Sequence, residues 1–114
     1  MSEHRHATRP LAPVPEAAYR RAAAVFRAAG DIERLRLLAQ LTRGEWCVTE
    51  LADATGAPLP TVSQRLRVLR ADGLVSTRRN GKHVHYSLAD HHVADLIENA
   101  LAHAAELTEG ADRR

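Results

Sequence analysis

The sequence predicts a mainly α-helical fold with one small β-hairpin, folded as a single domain within 114 residues. Three observations favour this fold class. Apolar residues recur at helical spacing in several segments bounded by Gly, Pro or Asp. Two short β-type runs flank Asn80-Gly81, a strong signal for a hairpin turn. The length leaves room for one core, and the lone Cys47 excludes an intrachain disulfide.

The N-terminal part of the chain predicts a flexible tail followed by two helices. Residues 1–14 contain Pro10 and Pro13 and show no apolar period, so we expect a tail there and a folded domain over residues 15–108. A first helix is expected over residues 16–29, and its apolar residues at helical spacing are Tyr19, Ala22, Ala23 and Phe26. Asp31 then suits the N-cap of a second helix. The apolar face of that helix comprises Ile32, Leu35, Leu38, Ala39 and Leu41.

The middle of the chain predicts two short helices joined by a turn. Cys47 and Val48 suggest a strand stub, and Thr49 suits the cap of a third helix that stops near Gly56. Pro60 suits the first turn of a fourth helix over about residues 60–71. Its predicted buried stripe is Val62, Leu66 and Leu69. The polar residues Thr61, Ser63, Gln64 and Arg67 fall largely outside that stripe.

The last third of the chain predicts a hairpin and a terminal helix. The strands are expected at residues 74–78 and 83–88, and the helix over about residues 90–107, with a flexible tail at residues 109–114. A short helix, a turn, a second helix with polar outward residues and a hairpin follow one another in the order of a winged helix-turn-helix.

Charge is distributed unevenly along the chain. The formal net charge is +2, but residues 61–83 carry net +5 and residues 84–112 carry net −6. A basic helix and hairpin favour DNA, because the helix fits the major groove and the hairpin cations reach phosphates. The alternative is that these arginines only face solvent. The predicted DNA-binding residues are Pro60, Thr61, Ser63, Gln64, Arg67, Arg78, Arg79 and Lys82.

The terminal helix carries four possible metal ligands beside an apolar stripe. The stripe comprises Val93, Leu96, Ile97, Ala100, Leu101, Ala104 and Leu107. Asp90, His92, His103 and Glu106 provide two imidazoles and two carboxylates, a reasonable tetrahedral set for zinc. His92 and His103 are about 16 Å apart along one helix, so one chain cannot close the site. Two antiparallel copies can, and this predicts a homodimer through the terminal helices. The alternative is polar residues that merely flank an interfacial helix.

Over roughly residues 17–107 the chain resembles the ArsR/SmtB family of metal-sensing transcriptional repressors. The matching segments are DIERLRLL (31–38), EWCVTEL (45–51), TVSQRLRVL (61–69), DGLV (72–75), RRNGK (78–82) and YSL (86–88). The spacing of Asp90, His92, His103 and Glu106 resembles the helix-borne site of the family's zinc sensors. The resemblance implies a homodimeric repressor that binds operator DNA without metal. Metal then lowers the DNA affinity and derepresses genes for metal efflux or sequestration.

The sequence departs from the family in ways that bear on the metal. Cys47-Val48-Thr49 stands where arsenic, cadmium and lead sensors often place Cys-Val-Cys, so we expect Cys47 to be a small buried residue. Glu106 favours zinc, because related nickel and cobalt sensors tend to use His there. His4 and His6 keep nickel or cobalt open as alternatives. A winged-helix regulator with no metal switch is a further alternative.

Other classes of function are not favoured by the sequence. It lacks an H-E-x-x-H motif, a nucleophile-base pattern and a Gly-rich phosphate loop, so we expect no enzyme and no small organic substrate. No apolar run approaches the roughly 20 residues that cross a bilayer, and we expect a cytoplasmic protein without a membrane partner.

Overall fold

The computed structural model describes residues 12–112. Over this range the chain forms five helices and one three-stranded antiparallel sheet. In chain order the elements are α1 (Glu16–Ala29), α2 (Ile32–Leu41), β1 (Trp46–Cys47), α3 (Val48–Thr55), α4 (Leu59–Ala71), β2 (Val75–Asn80), β3 (His83–Leu88) and α5 (His91–Asp112). The predicted helix, turn, helix and hairpin are therefore present in the predicted order.

The core lies where α2, α3 and α4 meet the base of the hairpin. The predicted stripe of α4, Val62, Leu66 and Leu69, has no exposed surface. Residues from the other elements complete this core, namely Ala28, Leu37, Leu38, Leu41, Leu51, Leu74, Val75 and Ile97. Burial of such aliphatic side chains contributes about 1.5–3 kcal/mol each, so α4 is fixed in place by three strong anchors.

The corner between α1 and α2 is held by polar contacts. The Asp31 carboxylate caps α2 by accepting the backbone N–H of Arg34 at 3.0 Å, as the sequence predicts. This hydrogen bond holds the pKa of Asp31 below its usual value. The Arg34 guanidinium turns back and donates through Nε to the Ala28 carbonyl at 2.7 Å, at the end of α1. The corner thus satisfies backbone groups of two helix ends with neighbouring residues.

The sheet has the strand order β1-β3-β2. Strand β2 continues to Asn80, so the two loop residues are Gly81 and Lys82 rather than Asn80 and Gly81. Gly81 has φ 64°, the left-handed value that a two-residue hairpin turn requires at its first position. Trp46, Thr77 and Tyr86 share one register row, and Cys47, Arg78 and His85 share the next. Since adjacent rows face opposite sides, the second row lies on the side away from Trp46 and Tyr86, which pack on the core.

Two local expectations are corrected by the structure, and the burial of α1, for which the sequence makes no prediction, is established. The strand stub is Trp46–Cys47, and Cys47 rather than Thr49 is the N-cap of α3. In α1 the buried residue is Ala28, whereas Tyr19, Ala22, Ala23 and Phe26 are exposed. Helix α5 continues to Asp112, so residues 109–112 lie in the helix and not in the expected tail.

None of the helices between residues 12 and 112 is both long and apolar enough to span a membrane.

Candidate nucleic-acid interface and metal-binding residues

The outer face of α4 is polar and accessible. Pro60, Gln64 and Arg67 are exposed, opposite the buried stripe, while Thr61 and Ser63 are half-buried on its two flanks. The Arg67 Nη1 donates to the Gln64 Oε1, so these two side chains form one hydrogen-bonded pair. Gln and Arg are the residue types that read adenine and guanine edges in the major groove. The face can therefore present donors and acceptors to base pairs.

The tip of the hairpin presents cations. Arg79, at the end of β2, and Lys82, in the loop, are both exposed. Arg and Lys at such a position suit phosphate contacts, which fix the register of a protein on DNA.

Arg78 is placed differently from its neighbours. Its guanidinium forms a bidentate ion pair with Glu45, with Nη2 donating to Oε1 at 2.6 Å and Nε to Oε2 at 3.1 Å. The ion pair lowers the pKa of Glu45 and raises that of Arg78. Arg78, predicted to contact DNA, is thus engaged with a carboxylate 33 residues away in the sequence.

The start of α5 brings together two of the predicted metal ligands. Asp90 Oδ1 accepts the backbone N–H of Val93 at 3.1 Å and lies 3.7 Å from His92 Nδ1. The Val93 N–H, with a smaller contribution from His92, holds the pKa of Asp90 below its usual value. The Asp90 and His92 side chains are 54% and 80% exposed. Both are accessible to a ligand that arrives from outside the protomer.

The other two predicted ligands lie on the distant half of the same helix. His103 and Glu106 are exposed, and since His103 is eleven positions after His92 the helical rise separates the two histidines by about 16 Å. Within residues 12–112, no three His, Cys, Asp or Glu side chains of one protomer come together as a metal site. The donor set of two imidazoles and two carboxylates fits zinc chemically, but only if two chains contribute.

The apolar stripe of α5 packs on the core in its first part and is exposed in its second part. Ile97 is buried and Val93 packs against the core, whereas Ala100, Leu101, Ala104 and Leu107 are exposed. Leu107 is 62% exposed, and Phe26 of α1 is 61% exposed. Phe26 also lines an apolar cavity with Leu35, Leu96 and Ala100. These surfaces are suited to burial against a second protomer.

Cys47 is half-buried at the start of α3, rather than fully buried as expected. Its Sγ lies 3.1 Å from Thr49 Oγ1, and its backbone N–H donates to Glu50 Oε1 at 2.8 Å. This hydrogen bond lowers the pKa of Glu50. The segment thus forms the N-terminus of α3, where the side chains of Cys47, Thr49 and Glu50 take part in local contacts.

Two residues near these sites were not singled out from the sequence. Glu45 was not recognised as the partner of Arg78, and no local pattern links residues so far apart. His91 is exposed, and its ring centroid lies only 4.1 Å from that of His92. Adjacent histidines at a helix start were the available signal. His4 and His6 lie outside the described residues.

Comparison with known proteins identifies the family. The profile described as "Bacterial regulatory protein, arsR family" matches residues 31–77. The HTH-type transcriptional repressor SmtB of Mycobacterium tuberculosis is 42% identical over 95 residues, which cover 83% of this chain and 70% of that protein. The HTH-type transcriptional regulator NmtR of the same organism is 42% identical over 106 residues, covering 93% of this chain and 88% of that protein.

A solved structure supports the same assignment. The homodimeric winged helix-turn-helix DNA-binding domain from Mycobacterium bovis superimposes with a TM-score of 0.75 at 34% identity, covering 84% of this chain and 92% of that one. The predicted fold class, DNA partner, homodimer and absence of enzymatic activity are confirmed by these relatives. The chain belongs to the ArsR/SmtB family of metal-responsive transcriptional repressors, winged helix-turn-helix proteins that bind operator DNA as homodimers.

Proposed function

We propose that this repressor responds to zinc, held between the α5 helices of its two protomers. Asp90 and His92 of one protomer and His103 and Glu106 of the other would be the ligands, giving two equivalent sites per dimer. The observation that supports this proposal is that two of the four accessible donors lie at the start of α5 and two lie about three turns further along it. In a single chain these four donors cannot reach one metal ion, whereas in an antiparallel pair of helices they can form two four-ligand sites.

The chemistry of the donors favours zinc over softer metals. Two imidazoles and two carboxylates match a closed tetrahedral site, whereas cadmium and lead sites draw on thiolates. Only Cys47 offers a thiol in the whole sequence, and it lies at the start of α3 rather than on α5. Asp90 can keep its helix-capping bond through Oδ1 and offer Oδ2 to a metal.

The proposed DNA interface comprises the outer face of α4 and the tip of the hairpin. Thr61, Ser63, Gln64 and Arg67, with Pro60 at the start of the helix, would lie in the major groove. Arg79 and Lys82 would contact phosphates. Because the family acts on operator DNA, we place the protein in the cytoplasm.

The proposed coupling follows from the dimer. The two recognition helices must match the spacing of two half-sites, and joining the α5 helices by shared ligands restricts their relative orientation. Bound zinc would supply a rigid four-ligand junction between the protomers. If the restricted orientation fits the operator less well, DNA affinity falls, and by reciprocity DNA lowers zinc affinity by the same factor.

The test uses an operator duplex selected from a random library by the metal-free protein. Fluorescence anisotropy should show that saturating zinc weakens operator binding by about 5–150-fold, the usual range of such coupling. Isothermal titration of His103→Ala should show zinc affinity reduced by more than about 100-fold, since even loss of an outer-shell partner costs 10–100-fold. His83→Ala, outside α5, is the matched control. An unchanged operator affinity in saturating zinc would instead identify a regulator without a metal switch.

Nickel or cobalt is the second candidate, and the placement of His91 favours it. The His91 ring beside His92 offers a further exposed imidazole, which a metal of higher coordination number could use. A cobalt(II) absorption spectrum reports coordination number, and competition by zinc and nickel reports preference. A tetrahedral spectrum unaffected by His91→Ala supports zinc, and a six-coordinate spectrum that this variant alters supports nickel or cobalt.

A further inference from the structure

The ion pair between Arg78 and Glu45 spans the outer face of the sheet. Arg78 belongs to β2 and Glu45 directly precedes β1, while β3 lies between these two strands. The Arg78 side chain therefore crosses the central strand, beside His85, its partner in the register. Both guanidinium contacts are within hydrogen-bonding distance, at 2.6 and 3.1 Å. A bidentate pair of this kind fixes the orientation of the guanidinium relative to the carboxylate as well as their separation.

The pair adds a polar link between the hairpin and the segment that leads into the helix-turn-helix, beside a very short strand pairing. Strand β1 has only two residues, paired with β3 at Trp46–Tyr86 and Cys47–His85. Helix α3, the first helix of the helix-turn-helix, begins at the next residue, Val48. The hairpin strand β2 ends at the basic tip. A contact from Arg78 to Glu45 thus ties the hairpin to the start of the helix-turn-helix.

The pairing also limits what Arg78 can offer to DNA directly. Its charge is matched by a carboxylate that occupies Nε and Nη2. Arg79 lies one residue along β2 and faces the opposite side of the sheet, where it is exposed. Two neighbouring arginines of one strand therefore differ in charge environment and in direction, and we expect them to act differently.

We infer that Glu45 and Arg78 are positioning residues for operator binding: their ion pair holds the hairpin against β1 and α3, so that the hairpin tip and α4 engage DNA together. Arg78 then acts through Glu45, and Arg79 and Lys82 supply the phosphate contacts of the hairpin. The pair is exposed, with side chains 56% and 35% accessible, so its effect on stability is small. This inference does not depend on which metal the protein binds.

The test measures operator affinity and its salt dependence in metal-free protein between 50 and 200 mM salt. Glu45→Gln removes a negative charge, so electrostatics alone would strengthen DNA binding; we expect it to weaken binding by about 3–10-fold instead. Arg78→Gln should weaken binding similarly, and both variants should keep the salt slope of the wild type. Arg79→Gln is the matched control: it should reduce the slope by about 1.8, since the dimer loses two phosphate contacts at about 0.9 each.

A double variant with the two charges exchanged distinguishes loss of the ion pair from general damage to the fold. Glu45→Arg combined with Arg78→Glu restores an ion pair with reversed polarity, and we expect operator affinity within about 3-fold of the wild type. Circular dichroism and dimer size check that each variant is folded. The inference is overturned if Glu45→Gln tightens binding while Arg78→Gln reduces the salt slope, since Arg78 would then be a phosphate ligand that Glu45 restrains. Failure of the folded charge exchange to restore affinity, or single variants with wild-type affinity, would overturn it as well.

Discussion

Helices α4 and α5 carry the residues proposed to read DNA and to bind metal, but the protomer anchors the two helices very differently. Helix α4 buries Val62, Leu66 and Leu69 completely, whereas Ile97 is the single buried side chain among the described side chains of α5. The surface proposed to read DNA is therefore fixed within one protomer. The residues proposed to hold metal lie on a helix that needs a second protomer. The proposed metal switch therefore lies on the helix whose apolar surface one protomer leaves uncovered.

The largest effect is expected from a substitution in the exposed apolar stripe of α5, which should weaken the dimer. Leu107→Glu places a charge in the exposed apolar stripe, and an unpaired charge is costly to bury against a partner. We expect the dimer to weaken by more than about 100-fold, measured by sedimentation. Ala102→Glu, on the opposite side of α5, is the matched control and should leave the dimer intact. Equal dimer strength in the Leu107 variant would place the interface elsewhere.

A smaller effect is expected at α4, without any change in the dimer. Arg67→Ala should weaken binding to the selected operator by about 5–150-fold for each half-site contacted, because one good contact to a base is worth about 1–3 kcal/mol. Gln64→Ala should weaken it too, since the two side chains share a hydrogen bond. Affinity for scrambled DNA should change far less. Arg43→Ala, an exposed arginine after α2, removes the same charge away from α4. If that variant loses as much specificity, α4 is not the reading helix.

The smallest effect is expected on Tm, from loss of the side-chain cap at the start of α5. Helix α5 is capped by Asp90, whereas α4 begins after Pro58 with Pro60 in its first turn. In metal-free protein at fixed concentration, Asp90→Ala should lower Tm by about 3 °C through loss of the cap. Asp90→Asn keeps a side-chain acceptor and should lower it less.

The Tm of Asp90→Asn and that of the wild type should also respond differently to acidic pH. The folded-state pKa of Asp90 is lowered, so its ionised form stabilises the protein above the unfolded pKa of about 3.9, and that contribution disappears as pH falls through the lowered value. Asp90→Asn should therefore lose less of its Tm than the wild type between pH 5 and 3. An identical acid response in both proteins would mean that Asp90 is not the capping carboxylate.

The sequence was most informative where a pattern is local. Val62, Leu66 and Leu69 recur at helical spacing between Pro and Gly, and periodicity of this kind locates both a helix and its buried face. Asp31 was predicted as a cap for the same reason, because its partner lies three residues away. The two contacts of Asp90 are equally local, since its carboxylate accepts the N–H of Val93 and lies near His92.

Where the partner is distant, the pattern alone was insufficient. Tyr19 and Phe26 mark an apolar face of α1, but periodicity does not say whether the same chain or a second one covers it, and both are exposed. The pairing of Arg78 with Glu45 depends on strand order, which brings β2 and β1 to either side of β3. The metal ligands remain a prediction because their assembly depends on two chains.

The exposed second half of α5 has a consequence for how much repressor the cell must make. A helical segment with little packing is marginally stable in water, so the half of α5 beyond Ile97 gains stability when a partner covers it. Helix formation, dimerisation and completion of the proposed ligand set are then one equilibrium governed by mass action. Below the dissociation constant of the dimer, protomers would neither hold an operator well nor sense metal well. The abundance of the protein would then itself help to set the response of the proposed switch.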